Sequence, residues 1–252
     1  MTQRFLDPPL PDVAAQWEHA FELLDAQPGQ AVLDVGCDRG DALCLLLAGQ
    51  PLLRCAVGLD SSSGRLSAAH ALAERLATAS RPLLVQGDGR RLPFADGAFD
   101  RVFCADTLEW IQPPLAGLRE IRRVLAPEGQ ALLVHSDFDS QVFAGPDPAL
   151  SRTIVHAFND AGPAPYIARE LPWLARQAGF SRVEPRVYTL VSESYEPGGY
   201  PHAVVALMRD WLTRTARVPA KDLERWEAGL RAAARQGRFF YAINRVLCLC
   251  RP

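Results

Sequence analysis

Lysine is almost missing from this chain. Of 252 residues, 27 are Lys or Arg, and Lys221 is the single lysine. It lies far along the chain from every motif described below, so Schiff-base or lysine–phosphate chemistry is not expected. An excess of one charge is missing too: 29 Asp+Glu against 27 Lys+Arg leaves a net charge of −2. A chain so nearly neutral is not one whose whole surface is a nucleic-acid-binding field. Long hydrophobic runs are absent. The longest runs only from Ala42 to Ala48, whereas a membrane helix needs roughly 20 apolar residues. Met1–Pro11 lacks the basic-then-apolar pattern of a secretory leader. A soluble, cytoplasmic protein is therefore expected. The six cysteines (Cys37, Cys44, Cys55, Cys104, Cys248 and Cys250) form no C-x-x-C pair, and none of the five histidines sits in an H-E-x-x-H motif. No metal is expected from such spacing. G-x-G-x-x-G is missing as well, which removes the usual dinucleotide fingerprint.

What is present is an ordinary globular composition. The chain is 48% hydrophobic and 22% charged, which excludes intrinsic disorder. Its length suggests one or two domains with an ample core. From about residue 31 to 135, strand-like and helix-like segments alternate. Ala31–Val35, Cys55–Leu59, Leu83–Gln86, Phe99–Cys104 and Ala131–Val134 read as strands. Asp41–Leu47 and Arg65–Ala77 read as helices. Leu115, Leu118, Ile121 and Leu125 recur at helical spacing, and Pro127-Glu128-Gly129 is expected to end that helix. The rhythm predicts an α/β fold with a mostly parallel sheet covered on both faces. Ligands of such sheets bind beyond the carboxyl ends of the strands.

The loops after the strands carry the chemistry. The first strand is followed by Asp34-Val35-Gly36-Cys37-Asp38-Arg39-Gly40. Glycines there let the backbone approach a ligand, and the next helix offers N–H groups to a carboxylate or phosphate. The second strand ends at Asp60, followed by Ser61. One carboxylate at this position can accept from two ribose hydroxyls; a helix N-cap is the ordinary alternative. The third strand is followed by Gly87-Asp88-Gly89, where Asp88 could accept from an exocyclic amine or simply make a turn.

Together these stretches resemble a known family. Val32–Gly40, Gly58–Ser62, Gly87–Phe94, Phe99–Val102 and Arg119–Gly129 are similar to the class I S-adenosylmethionine (SAM)-dependent methyltransferases, in the branch that includes ubiquinone-biosynthesis methyltransferases and many natural-product (secondary-metabolism) enzymes. Gly237–Pro252 resembles the last strand of these proteins. The resemblance implies a Rossmann-like, seven-stranded sheet with its last strand antiparallel. It implies that Asp34, Gly36, Cys37 and Gly40 surround the methionine part of SAM. Asp60 and Ser61 would serve the ribose, Asp88 and Gly89 the adenine, and Cys104 the sulfonium side. S-adenosylhomocysteine would be the product. Asp38 departs from the pattern, which has a small residue there. Aspartate tolerates positive φ, but its charge would repel the SAM carboxylate. We expect Asp38 to point away, at some cost to binding.

His135, after the fifth strand, is the candidate general base, with Asp106 and Glu109 as further polar candidates. A packed strand-end histidine is the ordinary alternative for His135. Past Asp137 the core pattern stops. Two inserts, at about 138–180 and 192–235, read as mainly helical and rich in aromatics, separated by a strand at Arg182–Val191. With residues 1–27 (Phe5 and Trp17 among them) they are expected to form a lid over a domain spanning 28–252. Tyr166, Tyr195, Tyr200 and His202 are the candidate substrate contacts, although ordinary packing must account for most of the aromatics. Arg231, Arg235 and Arg238 read as a solvated face rather than a nucleic-acid site.

The function expected is methyl transfer to O, N or C of a small aromatic or natural-product-like molecule, by a monomer or homodimer without nucleic-acid partners. Three alternatives remain open. One is a protein of this fold using SAM for cyclisation or another non-methylating reaction. Another is a non-catalytic SAM- or partner-binding protein. The third, an RNA or protein methyltransferase, would need a basic entry face or an appended domain.

Overall fold

The computed structural model describes residues 11–50, 52–76 and 81–252. Phe5 and the expected helix end at Ala77 lie outside the described residues. In chain order the elements are α1 (Pro11–Leu24), β1 (Ala31–Val35), α2 (Asp41–Gly49), β2 (Cys55–Asp60), α3 (Ser63–Leu76), β3 (Leu83–Gln86) and β4 (Phe99–Ala105). A 3-10 turn at Leu108–Trp110 follows, then α4 (Pro114–Val124), β5 (Leu125–Ala144), α5 (Pro148–Ala161) and α6 (Ile167–Gln177). The chain ends with β6 (Arg182–Ser192), α7 (Tyr200–Thr215), α8 (Ala220–Arg235) and β7 (Phe240–Arg251). The seven strands are ordered β3-β2-β1-β4-β5-β7-β6. β1 pairs in parallel with β2 and β4, and β3 and β5 extend the parallel set. The last strand is antiparallel, as expected for the Rossmann-like methyltransferase fold. Strand order reverses beside β1, which makes the carboxyl ends of β1 and β4 the place for a ligand.

The chain divides into two units. The first comprises Trp17–His135, Ile167–Val187 and Val246–Pro252. Its centre is β1, buried at all five positions, as a strand flanked by helices on both faces must be. Gly58 in β2 is required by packing: a Cβ there would stand 2.8 Å from Cys37 Sγ and 2.9 Å from a Leu43 methyl. α4 starts on Pro114 and buries Leu118, Ile121 and Val124; of the residues read as its apolar face, Leu115 is half-buried and Leu125 belongs to β5.

The second unit comprises Met1–Gln16, Ser136–Tyr166 and Tyr188–Arg245. Phe143 packs against Trp226 and Tyr241, with ring centroids 5.1 and 4.7 Å away. The Trp226 indole donates to Ser151 Oγ at 3.0 Å, and Trp211 donates to the Ala161 carbonyl at 3.1 Å. Phe158 meets Phe138 edge to face. Packing thus accounts for Phe143, Phe158 and Trp211, whereas Tyr166 and Trp173 are exposed.

Three readings are corrected. Pro127-Glu128-Gly129 does not end the helix, which stops at Val124; β5 starts at Leu125. The register absorbs the turn residues as an irregularity. Phe99 pairs with Leu125 and Arg101 with Gln130, so β5 advances five residues while β4 advances two. Nor does helical structure begin at Phe138. β5 runs on to Ala144, with Gln141 and Phe143 buried and Val142 and Ala144 exposed. That period of two is a strand's; the polar residues Ser136, Asp137, Asp139 and Ser140 had hidden it. Finally, His135 lies within β5 rather than after the fifth strand, because the strand extends to Ala144. On β7 Cys248 and Cys250 are both fully buried. Among the described residues no helix is long and apolar enough to cross a membrane.

Candidate active site

All of the cofactor and base candidates fall in the first unit, at or just beyond the carboxyl ends of β1, β2, β3 and β4 and, for His135, within β5. The loop after β1 hooks back onto β2: the N–H groups of Gly36 and Cys37 both donate to the Leu59 carbonyl, at 2.7 and 3.0 Å. Gly36 has φ +78, and a Cβ on it would lie 2.2 Å from Thr107 Oγ1. Gly40, with φ +76, closes the loop against Ala69 and caps α2 without a side chain. The first-turn amides of α2 are therefore left to a ligand or water.

Asp34 is buried at the end of β1. Burial, with the nearby Asp60 and Asp38 carboxylates, pushes its pKa up to about 8. Asp60 is also buried. Its Oδ2 accepts from the Asp38 N–H at 3.1 Å and its Oδ1 from the Ser62 N–H at 2.9 Å. Each oxygen keeps acceptor capacity for a hydroxyl. Asp60 thus ties the glycine loop to the start of α3, a structural task compatible with ribose binding. Ser61 is exposed, and its carbonyl accepts from Gln86 Nε2 at 3.1 Å.

Asp88 is half-exposed and gripped by Arg90, whose Nη2 lies 2.6 Å from Oδ2 and whose Nε lies 3.0 Å from Oδ1. The hydrogen bonds from Arg90 hold its carboxyl below the usual range. An amine could reach it only by sharing those oxygens. Gly89 has Ile111 over it: a Cβ there would stand 2.5 Å from the Ile111 terminal methyl. Cys37 and Cys104 are buried, and burial first, then neighbouring carboxylates, raises both thiols well above the ordinary range. They remain neutral thiols, unsuited to nucleophilic work.

His135, at the unit's edge on β5, is almost fully buried. Its Nδ1 is 3.8 Å from Asp106 Oδ1 and its Nε2 is 3.8 Å from Glu109 Oε2. The histidine is therefore bracketed by two carboxylates, both capable of stabilising an imidazolium. Asp106 has φ +45 while its N–H donates to the Val134 carbonyl at 2.9 Å. Strained backbone of this sort is concentrated at functional positions.

The substrate candidates belong to the second unit. Tyr195 and His202 are neighbours, with ring centroids 5.4 Å apart. Burial pushes the Tyr195 phenol up, and among the described residues its hydroxyl has no hydrogen-bond partner. Tyr200 stands apart from that pair in a polar cluster. Its hydroxyl is 2.9 Å from Ser136 Oγ and accepts from Arg245 Nη1 at 3.1 Å. Tyr166 is exposed at 44%.

Comparison with known proteins bears on likeness of sequence and fold. The methyltransferase domain family matches residues 33–133. A 37.1 kDa protein in transposon TN4556 of Streptomyces fradiae is 31% identical over 227 residues, 89% of this chain and 63% of its own. A demethylmenaquinone methyltransferase of Beutenbergia cavernae is 35% identical over 130 residues, 51% of this chain and 49% of its own. The chain thus spans less than two thirds of these curated relatives. Among solved structures, the YcgJ protein of Bacillus subtilis aligns with a TM-score of 0.62 at 18% identity, covering 94% of this chain and 99% of that one. The [4+2]-cyclase SpnF aligns with a TM-score of 0.61 at 20% identity, covering 95% of this chain and 81% of that one. The last two likenesses concern the fold alone.

Residues 33–133 match a methyltransferase domain family.

Within the matched domain region, sequence reading missed two partners. Thr107 is the reason residue 36 must be glycine; nothing in the local sequence announces it, because the two are 71 residues apart. Arg65, on the first turn of α3, brings its Nε to 3.1 Å from Asp38 Oδ1. Outside the domain's core, Arg245 was also overlooked. It is buried on β7 and donates to Gln16 Oε1 at 2.8 Å. A single charge within the mostly apolar stretch Tyr241–Cys250 was the available signal, since a buried cation needs designed partners.

Proposed function

We propose that this protein is a SAM-dependent methyltransferase acting on O, N or C of a small molecule. The observation that carries the reading is the pair of buried acids, Asp34 and Asp60, at the ends of adjacent strands beside the glycine loop. An ammonium beside Asp34, ribose hydroxyls on Asp60 and a carboxylate at the α2 amides fit this donor set. When bound, SAM supplies an electrophilic methyl group on a sulfonium. The chain's own residues then hold and align the reactants and exclude water. We assign His135 as the base that takes a proton from the acceptor, with Asp106 and Glu109 stabilising the resulting imidazolium. Tyr166, Tyr195, Tyr200 and His202 remain the proposed acceptor contacts. A small aromatic acceptor is supported by the quinone-methylating name of the Beutenbergia relative. Six free cysteines fit a reducing, cytoplasmic setting, and we retain a role in secondary metabolism.

The test is incubation with SAM and a panel of phenols, quinols and amines. One acceptor should gain the mass of a methyl group with matching formation of S-adenosylhomocysteine. Conversion of a substrate with SAM left intact would overturn methyl transfer in favour of a cyclisation-type reaction. SAM bound tightly with no turnover across the panel would favour a binding protein.

Asp34 makes the affinity pH-dependent. With its folded pKa near 8, against about 3.8 when free, the folded chain holds a proton that the unfolded chain has lost. Stability from this group therefore falls as pH rises from about 4 to 8, with a slope of up to about 1.4 kcal/mol per pH unit. A cationic ligand group at Asp34 drives that proton off. SAM affinity should rise up to about tenfold per pH unit until near pH 8. Titration calorimetry at pH 7 in buffers of different ionisation heat should register proton release; equal heats in all buffers would contradict it.

A further inference from the structure

We infer that Arg65 is a positioning residue for the cofactor loop: it holds the Asp38 carboxylate in place, so that an acid is tolerated where the family has a small residue. The inference rests on SAM occupying the site at Asp34–Gly40. Four observations carry it. Asp38 has φ +48, so its backbone follows the conformation that a glycine would adopt. Its carboxylate is 3.1 Å from Arg65 Nε, while its own N–H is anchored on Asp60 at 3.1 Å. The same guanidinium comes within 3.9 Å of Asp60 Oδ2. Asp38 and Asp60 also both act on the buried Asp34.

Three carboxylates thus meet where a ligand must bring in a fourth. Arg65 is the cation set between two of them. The Asp38–Arg65 contact is a charge pair rather than an aligned hydrogen bond, since Asp38 Oδ1 has no partner of hydrogen-bond geometry. Both side chains are about half exposed, 53% for Arg65 and 43% for Asp38. Such a pair adds only about 0–1 kcal/mol to stability, so its effect should appear in ligand binding instead. The cost that the sequence assigned to Asp38 is thereby transferred to its partner: Asp38 becomes costly only when Arg65 is removed.

A double-mutant cycle on the full chain tests this, with SAM titrated calorimetrically. Asp38→Gly alone should leave affinity within about threefold of wild type. Arg65→Ala should weaken it about tenfold or more, and Arg65→Lys, which keeps the charge, less. Arg65→Ala combined with Asp38→Gly should return to within about threefold of wild type. Melting temperatures should barely differ. The same cycle with Arg65→Gln keeps side-chain bulk and so separates charge from packing. Arg65→Ala binding like wild type, or a double variant as weak as Arg65→Ala, overturns the inference. Wild type failing to bind SAM overturns the cofactor reading itself; a flat cycle on a wild type that binds SAM overturns only the role of Arg65.

Discussion

His135→Gln should lower kcat for methyl transfer by about 10²–10⁴, the usual contribution of a positioned base, while SAM binding stays near wild type. The physical basis is the site of the imidazole. It is buried on β5 with a carboxylate 3.8 Å from each ring nitrogen. Proton uptake there creates a cation between two anions, which offsets part of the burial cost. Asp106→Asn and Glu109→Gln should each cause a smaller loss, because each leaves one carboxylate. The loss in His135→Gln should shrink as pH rises through the acceptor's own pKa, since an acceptor already deprotonated needs no base. A pH–rate profile on whichever phenol, quinol or amine turns over is the measurement. An unchanged kcat in His135→Gln, with the variant folded by circular dichroism, would remove His135 from the chemistry and leave it a packed strand-end residue.

The second large effect concerns the loop itself. Gly36→Val should destabilise the fold by about 3–5 kcal/mol and abolish measurable SAM binding. Two causes add. A β-branched residue at φ +78 pays roughly 1–2 kcal/mol or more for the left-handed region. Its Cβ also falls 2.2–2.8 Å from three Thr107 side-chain atoms, and such overpacking costs about 1–3 kcal/mol. Thr107 cannot easily yield, because its hydroxyl donates to the Ala105 carbonyl at 2.8 Å. Urea unfolding of Gly36→Ala, with and without Thr107→Gly, divides the two causes. Removing the threonine side chain should recover the steric share and leave the backbone share. Full recovery would mean that φ costs nothing here, and no recovery that the clash is absorbed elsewhere.

The scarcity of lysine and of uniform charge sets expectations about chemistry from composition alone. The order of acids and glycines after successive strands was also readable, because both are short-range. A strand of buried apolar residues such as Ala31–Val35 announces itself locally, and the loop after it must contain residues that turn. Where local patterns conflicted, reading failed. Pro127-Glu128-Gly129 looks like a helix stop, yet pairing of β5 with β4 absorbs it as an irregularity. The polar residues from Ser136 to Ser140 masked a strand that its alternating burial makes plain.

What only the tertiary structure decided is which side chains meet across long stretches of sequence. Asp38 read as a liability on its own, and Arg65 supplies the counter-charge from another element. Asp60 was open between ribose acid and helix cap; its hydrogen bonds to residues 38 and 62 make it a tie between loop and helix. Asp88 was open between amine acceptor and turn; Arg90, only two residues on, engages it, a local contact that the fold merely displays. His135 gains its two carboxylate neighbours only from Asp106 and Glu109, which lie beyond β4. Composition and spacing determine strands, turns and the kinds of groups at their ends. Charge pairing and steric fit act over a few ångströms in space, without regard to distance along the chain, so they belong to the fold.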